Sequence, residues 1–243
     1  MRFKNFKNKK IVVMGLGLHG GGVGVARFFA KQGARVLVTD LRKKAELKES
    51  LEKLKDWPIK YVLGKHRSED FKNQDLIIKN PAVPNQSKYC QIAQRNGIPI
   101  ETDIGLFFEL CPAPIIGVTG TKGKSTTASL IAQILKSAKG GKRPKVVLAG
   151  NIRTSVLDQL PRIKKNSRVV LELSSWQLEG LAKHKKSPHL AVMTNFKPDH
   201  LNRYQNLKEY FQAKKLIFKF QKPTNFLFLG TEVNFSSLNK SSF

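Results

Sequence analysis

Lys124 and Ser125 close the run Gly117-Val-Thr-Gly-Thr-Lys-Gly-Lys-Ser-Thr126, and residue types in that order suit the gripping of a phosphate chain. Gly120 and Gly123 allow a turn tight enough for successive backbone N–H groups to face an anion. The Lys124 ammonium would reach the β- and γ-phosphates, and the Ser125 hydroxyl would ligate Mg²⁺. Gly120, Thr121, Lys122, Gly123, Lys124, Ser125 and Thr126 are therefore candidate ATP contacts. Ile115, Ile116 and Val118 read as the strand feeding this loop, while Ala128, Ile131, Ala132 and Leu135 recur at helical spacing after it. The helix N-terminus adds positive potential where phosphates would sit. The standard pattern G-x-x-x-x-G-K-[ST] requires glycine at 118, where this chain has Val118. A glycine-rich turn that binds nothing is the plainer alternative. Gly-Lys-Ser-Thr between an apolar strand and a helix is specific enough to weigh against it.

A second glycine turn, Gly15-Leu-Gly17-Leu-His-Gly20, lies between the apolar run ending at Met14 and a helical pattern through Val23, Ala26 and Ala30. Asp40 ends the next strand about 20 residues on, as a ribose-binding acid does in a dinucleotide fold. A nicotinamide-dependent oxidoreductase binding through Gly15, Gly17, Gly20 and Asp40 is thus one reading. Glu172 closes the strand Arg168–Glu172, and a carboxylate at the carboxyl end of a strand suits Mg²⁺, which prefers hard oxygen ligands. Taken alone, Glu172 reads as a strand-end surface charge. His200 and the adjacent Lys214 and Lys215 likewise read as solvated side chains when taken alone.

The elements that must position these groups alternate strand and helix along 243 residues. Strands are expected at Lys9–Met14, Ala34–Asp40, Ile59–Leu63, Asp75–Lys79, Ile98–Ile100 and Ile115–Val118, and later at 146–149, 168–172, 189–195 and 226–229. Helices are expected over 43–54, 88–95 and 207–220 and after the lysine–serine pair. This is an α/β chain, with a Rossmann-like domain at 1–110, a phosphate-loop domain at 111–230 and an irregular tail at 231–243. Pro112 and Pro114 mark the linker.

Composition narrows the classes. A hydrophobic content of 40% is that of a globular protein, and no apolar run approaches the ~20 residues of a membrane-spanning helix. The basic N-terminus lacks a signal-peptide apolar region. Cys90 and Cys111 show no metal spacing, which fits a reducing cytoplasm. There are 44 Lys and Arg against 17 Asp and Glu, a net charge of +27, which favours anionic partners. The lysines are scattered along the chain, and nucleotides satisfy the charge as well as nucleic acid does. No nucleic-acid partner is expected, and a monomer is.

The string Thr119-Gly-Thr-Lys-Gly-Lys-Ser-Thr126 resembles the ATP loop of the Mur ligases, T-G-T-[NK]-G-K-[ST]-[ST], which also lacks the first glycine. These enzymes add amino acids to the cell-wall precursor. The first half resembles their D-glutamate-adding branch, whose Rossmann-like domain holds the UDP of the substrate. Gly15-Leu16-Gly17-Leu-His19-Gly matches its first turn, and Asp40-Leu-Arg42 its Asp-x-Arg at the uridine end. Asn80-Pro-Ala-Val-Pro matches Ser-Pro-Gly-[IV]-[PS] loosely, and Asp103-Ile-Gly-Leu-Phe resembles Asp-Ile-Glu-Leu-Phe. Gly150-Asn151-Ile-Arg153 resembles Gly-Asn-Ile-Gly, whose Asn contacts the substrate. Glu172-Leu-Ser-Ser-Trp-Gln-Leu matches the segment whose Glu binds magnesium. Thr194-Asn195-Phe-Lys-Pro-Asp199-His200-Leu-Asn-Arg-Tyr resembles the family's Thr-Asn-x-x-x-Asp-His-[LM]-[DN]-Arg-[YH], whose His binds a second Mg²⁺. Tyr210-Phe-Gln-Ala-Lys214 matches the segment whose Lys is carbamylated into a further metal ligand, with Lys215 as the fallback.

The resemblance covers residues 9–229 and implies an ATP- and Mg²⁺-dependent amide ligase. Its metal ligands would be Ser125, Glu172, His200 and carbamylated Lys214, with Lys124 on the phosphates. Its partners would be a UDP-linked cell-wall precursor and D-glutamate. The family's third domain, which completes the ATP site, has no counterpart in these residues. The expectation is therefore weak nucleotide binding without turnover. Rival readings are another Mur-type ligase, the nicotinamide oxidoreductase and a basic nucleic-acid-binding protein.

Overall fold

A computed structural model describes residues 5–137, 144–152 and 154–233. The tail expected to be irregular lies outside them from residue 234, as does Arg153. The chain forms two compact units. The first takes in residues through Glu109 together with a short later segment ending at Pro161. The second takes in Leu110–Ile152 and the chain from Arg162 onward.

The first unit contains β1 (Lys10–Met14), α1 (Gly21–Lys31), β2 (Arg35–Asp40), α2 (Lys48–Glu52), β3 (Ile59–Leu63), β4 (Leu76–Lys79), α3 (Lys88–Arg95) and β5 (Ile100–Glu101), and α4 (Asp103–Leu110) follows. Its sheet has the order β3-β2-β1-β4-β5, every pair parallel. The order reverses between β1 and β4, and ligands of such sheets bind in the crevice beyond the carboxyl ends at that point. Val12, Met14, Phe71, Ile77, Cys90, Ala93 and Ile98 form one core cluster. The apolar strands are buried because helices cover parallel sheets on both faces.

The second unit contains β6 (Ile115–Thr119), α5 (Lys124–Ser137), β7 (Val146–Gly150), β8 (Arg168–Glu172), α7 (Ser175–Glu179), β9 (Leu190–Met193), α8 (Leu207–Lys215) and β10 (Phe226–Leu229). The order is β10-β9-β6-β8-β7, again all parallel, so β6 is central and its carboxyl end opens between β8 and β9. Ala128 and Ala132 of α5 are buried against Val118 and Val170, with Ile131 and Leu135 packed beside them. These are the four positions whose spacing marked the helix.

The strand expected over Ile98–Ile100 is displaced to Ile100–Glu101 and the one expected over 189–195 is limited to Leu190–Met193, and three helical segments also differ from their sequence expectation. Only Lys48–Glu52 of the 43–54 segment is helical. Its start is held by i→i−3 bonds, Glu46 N–H to Lys43 O and Leu47 N–H to Lys44 O, and the Glu46 carboxylate accepts from the Lys43 N–H. The helix expected to reach Phe220 ends at Lys215. Past it, the Ser187 hydroxyl donates to Leu216 O and accepts from the Phe220 N–H, pulling the chain into turns. Asp103–Leu110, read only as a bridge between domains, is a helix, with the Thr102 hydroxyl accepting from the Gly105 N–H at its start.

A short helix, α6 (Val156–Gln159), packs on α1 within the first unit. Arg27 pairs with Asp158, its Nε 3.1 Å from both carboxylate oxygens. The approach is close because α1 carries glycine at 24. A Cβ there would stand 2.1 Å from Ser155 Cβ, whereas a Cβ on Gly21 meets nothing within 4 Å. Gly24→Ala should therefore destabilise the first unit by about 1–3 kcal/mol through overpacking. Gly21→Ala should be neutral or stabilising by up to about 1 kcal/mol. Urea unfolding of both variants checks the contrast.

Candidate active site

The phosphate loop leaves β6 at Gly120, whose φ of +150° suits glycine; a Cβ there would lie 1.9 Å from the Thr194 hydroxyl. From there the loop is stitched to the end of β9. The Thr194 hydroxyl donates to Lys122 O at 2.6 Å, and the Asn195 carboxamide bonds Thr121 and Lys122. The Thr121 hydroxyl accepts from the Lys197 N–H at 3.0 Å and lies 3.5 Å from the Tyr210 hydroxyl. Downstream, the N–H groups of Gly123, Lys124, Ser125 and Thr126 have no acceptor among the described residues. The first backbone bond of α5 is Thr127 N–H to Gly123 O. Four open donors at the start of a fourteen-residue helix are an arrangement that suits an anion. Ser125 and Thr126 are exposed at its mouth.

Two lysines fold inward to the same carbonyl. Lys124 Nζ donates to Gly120 O at 3.1 Å and Thr121 O at 3.0 Å. Lys214 Nζ, on α8, donates to Gly120 O at 2.7 Å and lies 4.8 Å from the Tyr210 ring centre. Lys214 is only 2% exposed, whereas Lys215 is half-buried. Burial first, and the Lys124 charge second, bring the Lys214 pKa from the usual 10.5 down to about 7, against the pull of Asp199. Burial also lowers the Lys124 pKa, opposed by Glu172 and Asp199 and aided by Lys122.

Glu172 ends β8 in register with Val118 of β6, one strand from the loop, and is buried. Its Oε1 accepts from Asn151 Nδ2 at 2.9 Å, and the Asn151 N–H bonds Glu172 O. Asn151 is thus placed as the partner of Glu172. The other oxygen, Oε2, is buried with no hydrogen-bond partner among the described residues. An orphaned carboxylate oxygen beside a phosphate loop fits a cation. Among the described residues no three His, Cys, Asp or Glu side chains gather to hold one. That sparse donor set still suits Mg²⁺, which takes one or two carboxylates and fills its other positions with water and phosphate oxygens. His200, at φ +55°, lies with its ring 5.7 Å from Tyr210 and 5.8 Å from Trp176, its Nε2 3.9 Å from Asp199. Tyr210 therefore touches both His200 and Lys214. Thr194, Asn195 and Asp199 are fixed positions of the Thr-Asn-x-x-x-Asp-His segment and Tyr210 opens the Tyr-x-x-Ala-Lys segment, but neither match gave them a role of their own. Each was legible only as an unremarked member of a longer matched segment.

In the first unit, Gly15, Gly17 and Gly20 turn with positive φ past the end of β1. Leu16 is buried and His19 exposed. Asp40, at the end of β2, is buried and acts within the turn: Oδ2 accepts from the Gly17 N–H at 3.0 Å, and Oδ1 from the Arg42 N–H at 2.9 Å. The Arg42 guanidinium adds a contact at 3.6 Å and is half-exposed. Asn80, just past β4, walls the turn from the other side of the switch point, with its Nδ2 3.4 Å from Gly15 O. Gly15, Gly17, Asp40, Arg42 and Asn80 are thus linked around one turn at the switch point.

Two parallel α/β units, one carrying a Lys-Ser phosphate loop with a neighbouring strand-end carboxylate, define a nucleotide-dependent protein class. Family models make it narrower. The Mur ligase MurD-like N-terminal domain matches residues 9–102, and the Mur ligase middle domain matches residues 118–241. The chain belongs to the Mur ligase family. A relative from Roseiflexus sp. (strain RS-1), named UDP-N-acetylmuramoylalanine–D-glutamate ligase, is 49% identical over 224 residues, 92% of this chain and 47% of its own length. Relatives of the same name from Borreliella afzelii (strain PKo) and Treponema pallidum (strain Nichols) are 46% and 40% identical, with 47% and 42% of their lengths covered. The chain spans about half the length of the curated relatives it matches. The fold is shared with the UDP-N-acetylmuramate:L-alanyl-gamma-D-glutamyl-meso-diaminopimelate ligase of Neisseria meningitides, at TM-score 0.65 and 19% identity over 96% of this chain and 75% of that one. No helix among the described residues is long and apolar enough to cross a membrane.

The Lys214 shift has a sign that can be measured. Between about pH 7 and 10.5 the unfolded chain holds a proton on Lys214 that the folded chain has released, so stability rises with pH across that window and is flat, for this group, below it. Lys214→Met should reduce that slope in urea midpoints taken from pH 7 to 10.

Proposed function

We propose that this chain carries the two nucleotide-handling units of an ATP-dependent amide ligase that joins D-glutamate to UDP-N-acetylmuramoyl-L-alanine. The carrying observation is the convergence of Lys124 and Lys214 on the Gly120 carbonyl, one strand from the orphaned oxygen of Glu172. The first unit would hold the UDP end of the precursor at Gly15, Leu16, Gly17, His19, Asp40, Arg42 and Asn80. The second would hold ATP on the loop from Gly120 to Thr126.

The substrate carboxylate attacks the γ-phosphate, forming an acyl phosphate and releasing ADP. The amine of D-glutamate then attacks the acyl carbon and phosphate leaves. The chain's part is positioning and charge neutralisation. The open N–H groups from Gly123 to Thr126 and the Lys124 ammonium orient the phosphates. Ser125, Glu172, His200 and Lys214 are the residues that would hold magnesium, which supplies charge neutralisation on the transferring phosphoryl oxygens. Carbamylation of Lys214 needs a neutral amine to attack CO₂, and burial makes that form accessible near neutral pH. Asn151 would hold the Glu172 carboxylate in place. A cytoplasmic location goes with this reading, since ATP is the co-substrate, and a monomer is the expected state.

In this reading as in a dinucleotide one, Asp40 braces the glycine turn, its oxygens accepting from the Gly17 and Arg42 N–H groups, so ligand binding has to separate the two. Isothermal titration tests the assignment. Lys124→Ala should weaken ATP at least about tenfold and leave the UDP precursor unaffected. Arg42→Ala should do the reverse. Tight NAD binding with no response to the precursor would overturn the reading. In ¹³C-bicarbonate, a protein-bound carbamate resonance should vanish in Lys214→Ala and persist in Lys215→Ala.

A further inference from the structure

We propose that Asn195 is a positioning residue of the phosphate loop: its carboxamide closes the loop's upstream half, so that phosphate is received on the downstream half alone. Asn195 follows β9, the strand beside β6. Its Oδ1 accepts from the Thr121 N–H at 3.1 Å and the Lys122 N–H at 2.9 Å, while its Nδ2 donates to Lys122 O at 3.1 Å. Its main-chain oxygen also accepts from the Thr121 N–H, at 3.2 Å. One side chain thereby satisfies three main-chain groups on two successive loop residues. In a glycine-rich loop, successive N–H groups turn toward an anion. Here those of Thr121 and Lys122 are claimed by a neutral amide oxygen, which takes the place a phosphate oxygen would otherwise compete for. The N–H groups of Gly123 through Thr126 remain open. The carboxamide does what a carboxylate could not: it accepts from two donors without setting a negative charge beside the phosphates, and it offers the donor that Lys122 O requires. Thr194 reinforces the arrangement with its bond to the same carbonyl.

The inference rests on the nucleotide reading of the loop, and the experiment separates the two. ATP is titrated by calorimetry into the 243-residue chain, Asn195→Ala and Asn195→Asp, at low and high salt, with melting midpoints recorded for each. Asn195→Ala should bind ATP about tenfold more weakly, because the freed donors no longer hold the loop's curvature. Asn195→Asp should bind more weakly still at low salt and recover toward the alanine variant at high salt, as screening removes the added repulsion. A side chain that merely stabilised the fold would lower the midpoints without that salt-dependent difference. Should Asn195→Ala fail to fold, Asn195→Ser keeps one acceptor and should fall between wild type and Asn195→Asp. Wild-type binding matched by the alanine or serine variant overturns the proposal alone. A wild-type chain that gives no heat with ATP overturns the nucleotide reading and this proposal with it.

Discussion

The Gly120 carbonyl accepts hydrogen bonds from two lysine ammoniums at once, one of them removed from solvent. Two like charges at one neutral oxygen repel, and burial adds a desolvation cost to the inner one. Lys214 meets that cost by tending toward its neutral form. Lys124 sits at the outer edge, within reach of Glu172 and Asp199. The arrangement has a surplus of positive potential over a loop with open donors. The rest of the second unit can be understood as scaffolding for this junction: β6 delivers Gly120, α8 delivers Lys214 and β8 delivers the compensating carboxylate.

Delivery works because every strand pair is parallel. In a parallel sheet all carboxyl ends lie on one edge, so loops distant in sequence arrive together. Thr119, Glu172 and Met193 end three adjacent strands, so Gly120, Glu172, Thr194 and Asn195 lie at or just beyond those ends, while α8 brings Lys214 to the same place. The same logic holds independently in the first unit. Gly15 and Asn80 meet because β1 and β4 are neighbours at the point where strand order reverses.

The first unit also shows how a familiar pattern can carry a different physical role. A glycine turn followed by an acid about 20 residues on has the spacing of a dinucleotide site. Here the acid is buried, and its oxygens are spent on the Gly17 and Arg42 N–H groups. It braces the turn and holds the backbone of Arg42, a half-exposed cation, beside it. The spacing was legible, but which atoms would be left for a ligand was not.

The order of elements, both glycine turns and the face of α5 were determined by the sequence itself. The reason is that they depend on contiguous residues: apolar runs, glycines where φ must be positive, and a 3.6-residue repeat. Helix limits were less legible, because Phe220 is turned by Ser187, a partner 33 positions away. Adjacent Lys214 and Lys215 have identical chemistry and nearly identical neighbours in the chain. Only the tertiary structure decided that one is sealed against Tyr210 and Gly120 while the other is half-buried. The same is true of Asn195, which reaches a loop 73 residues earlier, and of the free oxygen on Glu172. Desolvation and hydrogen-bond satisfaction are properties of what surrounds an atom, and those surroundings exist only once the sheet has brought distant strand ends together.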